Sequence, residues 1–267
     1  VRRDLAARPI AFVLAASDHG TMIVNRNDHR MDAPEQGIGV GHQILTRSSF
    51  DRQEIDLALD LLAQRRRHFG DGVVALDCGA NIGVHAIEWA RAMHGWGEVL
   101  AFEAQERLFY ALAGNIALNN CLNARALHAA VGAADGRIRV PVPDYDRPAS
   151  FGSLELRRHA ANEFIGQSVD DDPGAGADTR LLAIDSLELP RCDFIKFDIE
   201  GMEVEALDGA ARTIARCRPI LLIEAIKSDE DALAARLAAS GHRPFRVGIN
   251  ILALHAADPV LERVKVV

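Results

Sequence analysis

The 267 residues, 49% of them hydrophobic, suffice for one large α/β domain or a domain with an extension. A net charge of −8 and a pI near 5.7 exclude a general binder of nucleic acid or anionic membrane. No apolar run approaches the length of a membrane span, and the scattered cysteines (Cys78, Cys121, Cys192, Cys217) suggest neither a zinc site nor a disulfide framework.

Residues 1–70 read as an extension ahead of the main domain. Its start, Val1-Arg2-Arg3 and then the apolar stretch from Pro9 to Ala16, superficially resembles a signal peptide, but Asp4 and Arg8 interrupt it. Thr21-Met22-Ile23-Val24 reads as a strand entering the polar turn Asn25-Arg26-Asn27-Asp28. Gly37, Gly39 and Gly41 mark a loop. Glu54 to Phe69 is an amphipathic helix with an apolar stripe of Ile55, Leu57, Ala58, Leu59, Leu61 and Leu62. Arg65, Arg66 and Arg67 form its solvated basic end, and Gly70 and Gly72 stop it.

From residue 73 strand-like and helix-like segments alternate, which predicts a mostly parallel sheet covered by helices on both faces. Val73-Val74-Ala75-Leu76 is the first buried strand, followed by a glycine-bearing turn and a helix from Val84 to Met93. Val99 to Phe102 is the second strand, Leu108 to Asn119 the second helix, and Ala126 to Val131 the third strand. Ile138 to Val142 is an extra strand. The stretch 143–178 is an irregular insertion, with a mobile loop expected at Asp170 to Gly176. Leu181 to Ile184 precedes a turn, and Phe194 to Phe197 is the fourth core strand. A helix follows from about Met202 to Ala215, then a fifth strand, Pro219 to Ile223. The last helix spans Asp231 to Ala239, and Pro244 to His255 forms a closing hairpin.

The turn Asp77-Cys78-Gly79-Ala80-Asn81-Ile82-Gly83 carries the most information. Between a strand and a helix, it presents backbone N–H groups and a helix N-terminus to a ligand. The next strand ends in Glu103, about 20 residues beyond the turn, where nucleotide-binding folds place a carboxylate on ribose hydroxyls. Alone, the turn could be an ordinary βα connection with Asn81 as a cap; with Glu103 it reads as a site. A dinucleotide site requires G-x-G-x-x-G, whereas Gly79 and Gly83 enclose three residues and Asp77 suits a cation or amino group better than a pyrophosphate. This turn resembles motif I of class I S-adenosylmethionine-dependent methyltransferases.

Asp77, Glu103, Asp198 and Glu224 each follow a core strand, so a parallel sheet should bring them to one cleft. Any one of them could instead cap a helix. Lys196 lies mid-strand, and period-2 alternation puts Lys196, Asp198 and Glu200 on one side. It is either a structural ion-pair partner or the group that holds Asp198 ionised for use as a base.

Several stretches together resemble the FkbM-type methyltransferases. They are the D-C-G-A-N-I-G turn, F-E-A-Q at 102–105, G-N-I-A-L-N-N at 114–120, and F-I-K-F-D-I-E-G-M-E-V-E-A-L at 194–207. Ile184-Asp185-Ser186-Leu187 and the run from Arg218 to Glu224 fit the same pattern. The resemblance spans roughly residues 73 to 255, with I-K-x-D-x-E-G its most specific part. Ala104 stands where many relatives have proline, which leaves Glu103 in place. The resemblance implies a Rossmann-like class I fold, a seven-stranded sheet with a C-terminal antiparallel hairpin, and methyl transfer from S-adenosylmethionine to a hydroxyl. By motif, Asp77, Gly79, Asn81 and Gly83 would contact the methionine part, Glu103 the ribose, and Asn119 or Asn120 the adenine region.

An alcohol needs a base or a metal to take its proton. Asp198 is the first candidate base, with Glu200 and Glu224 beside it; the three could alternatively hold Mg²⁺. His85 could serve as base or pack at a helix start, and His128 reads as a strand residue. No N-P-P-Y follows the fourth strand, which disfavours nucleobase acceptors and points to a small molecule or carbohydrate. Arg147 to Leu154 is expected to border the site. Two rival readings stay open, an NAD-type oxidoreductase and a non-catalytic cofactor-binding module. The expected location is the cytoplasm, and residues 1–70 are a candidate dimer contact and a candidate wall of the substrate pocket.

Overall fold

The computed structural model describes residues 9–33, 36–157, 162–170 and 176–263. Residues 1–8 of the charged start and 171–175 of the Asp-rich tract lie outside the described residues. Two antiparallel ribbons come first: β1 (Phe12–Ser17) with β2 (Gly20–Asn25), and β3 (Arg30–Ala33) with β4 (Gln36–Ile38). Helices α1 (Val40–Arg47) and α2 (Arg52–Phe69) lead into β5 (Val73–Cys78). The alternation continues with α3 (Val84–Ala92), β6 (Gly97–Glu103), α4 (Glu106–Leu118) and β7 (Ala124–His128). Three short strands follow, β8 (Ala130–Val131), β9 (Gly136–Val140) and β10 (Ala177–Leu182). The chain then returns through β11 (Phe194–Phe197), α5 (Glu203–Gly209), α6 (Ala211–Cys217), β12 (Ile220–Glu224) and α7 (Glu230–Ala239). It closes with β13 (His242–Val247) and β14 (Asn250–His255).

The central sheet has seven strands in the order β13-β14-β12-β11-β5-β6-β7. The five from β12 to β7 are parallel, and β14 runs antiparallel to both β12 and β13. All four residues of β11 are buried, as expected of an apolar strand with helices on both faces. Strand order reverses between β5 and β11, so a crevice opens beyond their C-terminal ends. This is the Rossmann-like α/β architecture that the alternation predicts. Among the described residues, no helix is long and apolar enough to cross a membrane.

Five local expectations change. Arg65, expected at a solvated helix end, is buried and pairs with Asp193 and Asp258. The leader-like stretch contributes β1, paired residue for residue with β2 from Phe12↔Asn25 to Ser17↔Gly20. The glycine-marked loop instead contains β4 and α1. The buried Asp28 carboxylate accepts from Gly41 N at 2.8 Å, satisfying an amide at the start of α1 from outside the helix. The expected strand 126–131 breaks at Ala129, whose N–H donates to Glu103 O, and β8 leaves to pair with β10. The expected helix 202–215 breaks at Ala210, because Asp185 from a distant turn accepts from Arg212 N (2.9 Å) and Thr213 N (2.7 Å) and starts α6 anew.

The extension shares the main core. Met22, Val24, Ile44, Ile55 and Leu62 pack in one cluster with Trp89 and Phe194. Asn115 of α4, fully buried, bonds Ile23 N and O of β2 and also Ile82 O. One side chain thus ties the N-terminal ribbon to the turn after β5.

Candidate active site

A cleft of about 270 Å³, partly open to solvent, lies over the ends of β5, β6, β11 and β12. Its floor is the turn at Gly79–Asn81. Gly79 N and Ala80 N both donate to Phe102 O, at 3.0 and 2.8 Å, which locks the turn to β6. Asn81 adopts φ +51°, and its N–H donates to Glu103 Oε2 at 2.8 Å. The other oxygen of Glu103 accepts from Gln105 N at 2.7 Å. Burial pushes the Glu103 carboxyl up to about 7 against these backbone donors. A carboxylate has about four acceptor positions, so room remains for a ligand diol.

Gly79, Asn81 and Glu103 line the cleft. Asp77 and Gly83 stand behind it. Asp77 is fully buried, its carboxylate oxygens lack hydrogen-bond partners among the described residues, and burial raises its pKa. Gly83 backs onto Leu112. Asn119 is a correction: its side-chain amide donates to Thr21 O and Asn115 O, holding the β1–β2 ribbon on α4 away from the cleft.

The opposite wall is charged. Lys196 Nζ lies 2.6 Å from Asp198 Oδ2. Burial alone would lower the lysine pKa, but Asp198, Glu54 and Asp77 more than offset it and hold the ammonium charged. Asp198, Glu200 and Glu224 bring carboxylate oxygens within 4.8 Å of one another, the spacing of a set that can share a cation. Burial, then the Asp198 charge, lifts Glu200 to about 8 although Lys227 pairs with it; burial with Asp198 and Glu200 lifts Glu224 to about 9. Such a cluster stores protons at neutral pH unless a cation takes their place.

Residues distant in sequence complete the walls. Ser150, Gly152, Ser153 and Leu154 of the insertion face the cleft. Gln105 holds the insertion there, donating to Phe151 O at 2.8 Å and accepting from Tyr145 OH at 3.0 Å. Lys227 straps it from the other side, reaching Ser153 O at 2.9 Å and Glu163 Oε2 at 2.8 Å. His85 lines the cleft, with its ring edge-on to Trp89 and its Nε2 3.2 Å from Glu54 Oε1. His128 stacks on Phe109 and contacts Ala104 O.

Glu54 is the residue that sequence reasoning missed. It reads as a first-turn helix acid, and only the tertiary packing shows its other neighbours. Burial alone would raise its carboxyl, but His85, Lys196 and Asn250 bring it down to about 2. Asp51, also outside the sequence-predicted set, lines the cleft one turn earlier.

A model of the methyltransferase FkbM domain matches residues 77–243. The chain belongs to the FkbM methyltransferase family. The matched segment takes in the Gly79 turn and the strand ends bearing Glu103, Asp198 and Glu224. It begins at Asp77, so β1 to α2, with Asp51 and Glu54, precede the matched segment. A comparison with curated proteins gives no match. Among solved structures, an FkbM methyltransferase from Methylobacillus flagellatus KT is similar at 20% identity and TM-score 0.46, covering 69% of this chain and 43% of that one. This chain therefore spans less than half the length of that relative. A precorrin-6y C5,15-methyltransferase from Geobacter metallireducens GS-15 is similar at 14% identity and TM-score 0.42, covering 78% and 90%. An S-adenosylmethionine-dependent methyltransferase from Aquifex aeolicus is similar at 15% identity and TM-score 0.35, covering 77% and 99%.

Proposed function

We propose that this FkbM protein transfers a methyl group from S-adenosylmethionine to a hydroxyl of a small molecule or carbohydrate. In this reading the Gly79–Asn81 turn receives the methionine part of the cofactor and Glu103 its ribose. Asp77 and Gly83 shape that turn from behind. The acceptor lies between Asp198, Glu200, Glu224 and the insertion. The net charge of −8 and the acid-lined wall support an acceptor other than nucleic acid. The expected cytoplasmic location belongs to this proposal.

The observation that carries it is the Lys196–Asp198 pair on the cleft wall, facing the Gly79 turn across the switch point. Methyl transfer from a sulfonium is an in-line displacement, so much of the catalysis is positioning. The acceptor O–H must also lose its proton as the O–CH₃ bond forms and the S–CH₃ bond breaks. Asp198 is the group placed to take it, and Lys196 keeps the carboxylate aimed.

A second reading is favoured by the convergence of Asp198, Glu200 and Glu224, which could hold Mg²⁺. The ion would polarise the acceptor oxygen and favour its alkoxide form. In both readings the three side chains keep their place on the acceptor side of the cleft.

Calorimetric titration with S-adenosylhomocysteine, with NAD in parallel and with and without MgCl₂, tests the assignment. The expected outcome is binding of S-adenosylhomocysteine alone; NAD binding in its stead would end the proposal. In Asp198→Asn, turnover with any acceptor found is expected to drop about 10²-fold or more, with cofactor affinity little changed. Undiminished turnover would remove Asp198 from the mechanism, and absent turnover with intact binding across acceptors would favour a non-catalytic module.

A further inference from the structure

We infer that Glu54 is a positioning residue that completes the active site from outside the matched FkbM segment, fixing His85 and the Lys196–Asp198 pair from helix α2. The inference rests on the reading of Asp198 as the group that takes the acceptor's proton. Glu54 Oε1 lies 3.2 Å from His85 Nε2 and 3.9 Å from Lys196 Nζ, while Oε2 accepts from Asn250 Nδ2. Helix α3, strand β11 and strand β14 therefore meet on one carboxylate supplied by α2. An acid that merely complements a helix N-terminus needs none of these partners.

The arrangement has a mechanical consequence. Lysine carries its charge on a flexible four-carbon stem. Asp198 bonds the ammonium at 2.6 Å, and Glu54 adds a second counter-charge at 3.9 Å from another side. Asn250 bonds Glu54 in turn and His85 lies against it, which couples the place of Lys196 to the N-terminal helix. Freed of Glu54, the Lys196–Asp198 pair would drift, and a misplacement of about 1 Å near reacting atoms can cost about 10²-fold in rate.

Glu54→Gln keeps the shape and removes the charge. Reaction of Lys196 with a small acetylating ester, followed by mass spectrometry of its peptide, is expected to quicken about fivefold, the scale of one lost contact between coupled neighbours. The ring ¹⁵N shifts of His85 should move with it, since the charge 3.2 Å from its Nε2 is removed. Affinity for S-adenosylhomocysteine should stay within about threefold, because Glu54 touches neither the Gly79 turn nor Glu103. Glu54→Asp, which restores the charge on a shorter stem, should recover part of the Lys196 protection. A folded Glu54→Gln protein with wild-type Lys196 labelling and His85 shifts would overturn the inference. Should that variant fail to fold, Asn250→Ala releases Glu54 alone and is expected to move both readouts the same way; no movement would overturn it equally. None of these measurements needs the acceptor. Failure of the wild type to bind S-adenosylhomocysteine would count against the methyltransferase site and leave the positioning test readable.

Discussion

Gly79 marks the closest backbone approach in the site. A β-carbon there would stand 1.7 Å from Asp198 O, and its φ of +84° disfavours any other residue. The turn after β5 and the strand end bearing Asp198 therefore meet backbone against backbone, which fixes the two walls of the cleft relative to each other. Gly79→Ala is expected to cost about 3 kcal/mol or more of stability and to weaken S-adenosylhomocysteine binding with it. Urea unfolding and calorimetry read the two effects; full stability with full binding would show that the approach is not needed. Glu103 was legible at the cleft from its spacing, and the structure adds why: it bonds the turn through Asn81 N and the start of α4 through Gln105 N. Asn119 was not legible. An asparagine closing a helix looks the same whether it faces a cleft or a neighbouring ribbon, and only packing against Thr21 decides.

Among the elements, the N-terminal ribbon and α1 depend on two buried polar side chains. Asp28 accepts from Gly41 N and Phe151 N, joining α1 to the insertion. Asn115 spends its amide on Ile23 and Ile82, joining β2 to the turn after β5. Asn115→Ala would leave the Ile23 N–H and two carbonyls without that partner in a buried place. It is expected to cost about 2–3 kcal/mol and to raise hydrogen exchange in β1 and β2 before the central sheet, which amide exchange would resolve by segment. Uniform loosening of the sheet would contradict that order. The breaks at Ala129 and Ala210 belong to this scale too. Local apolar runs continue through both, and a distant partner, β10 in one case and Asp185 in the other, interrupts them.

Taken as a whole, the molecule carries raised carboxyls of one sign: Asp28 at about 6, Glu103 at about 7, Glu200 at about 8 and Glu224 at about 9, burial being the first cause in each. Each prefers its proton when folded, so its contribution is complete below the ordinary carboxyl range and is lost as pH rises through the folded value. The unfolding free energy of the ligand-free protein is expected to fall between about pH 5 and pH 9, and Mg²⁺ bound by Asp198, Glu200 and Glu224 would flatten the fall. Denaturant titrations across that range read the slope directly; a rise instead would mean that these carboxyls are ionised in the fold. The sequence by itself determined the order of strands and helices, the turn at 77–83 and the acids at the strand ends. Those features are written in apolar periodicity and glycine spacing, which act over a few residues of backbone. Only the tertiary structure decided that Asp77 lies behind the turn, that Asn119 faces the N-terminal ribbon, and that Glu54 reaches Lys196 from a helix more than a hundred residues away in the chain. Such meetings follow from how helices pack across a sheet, and no local pattern encodes them.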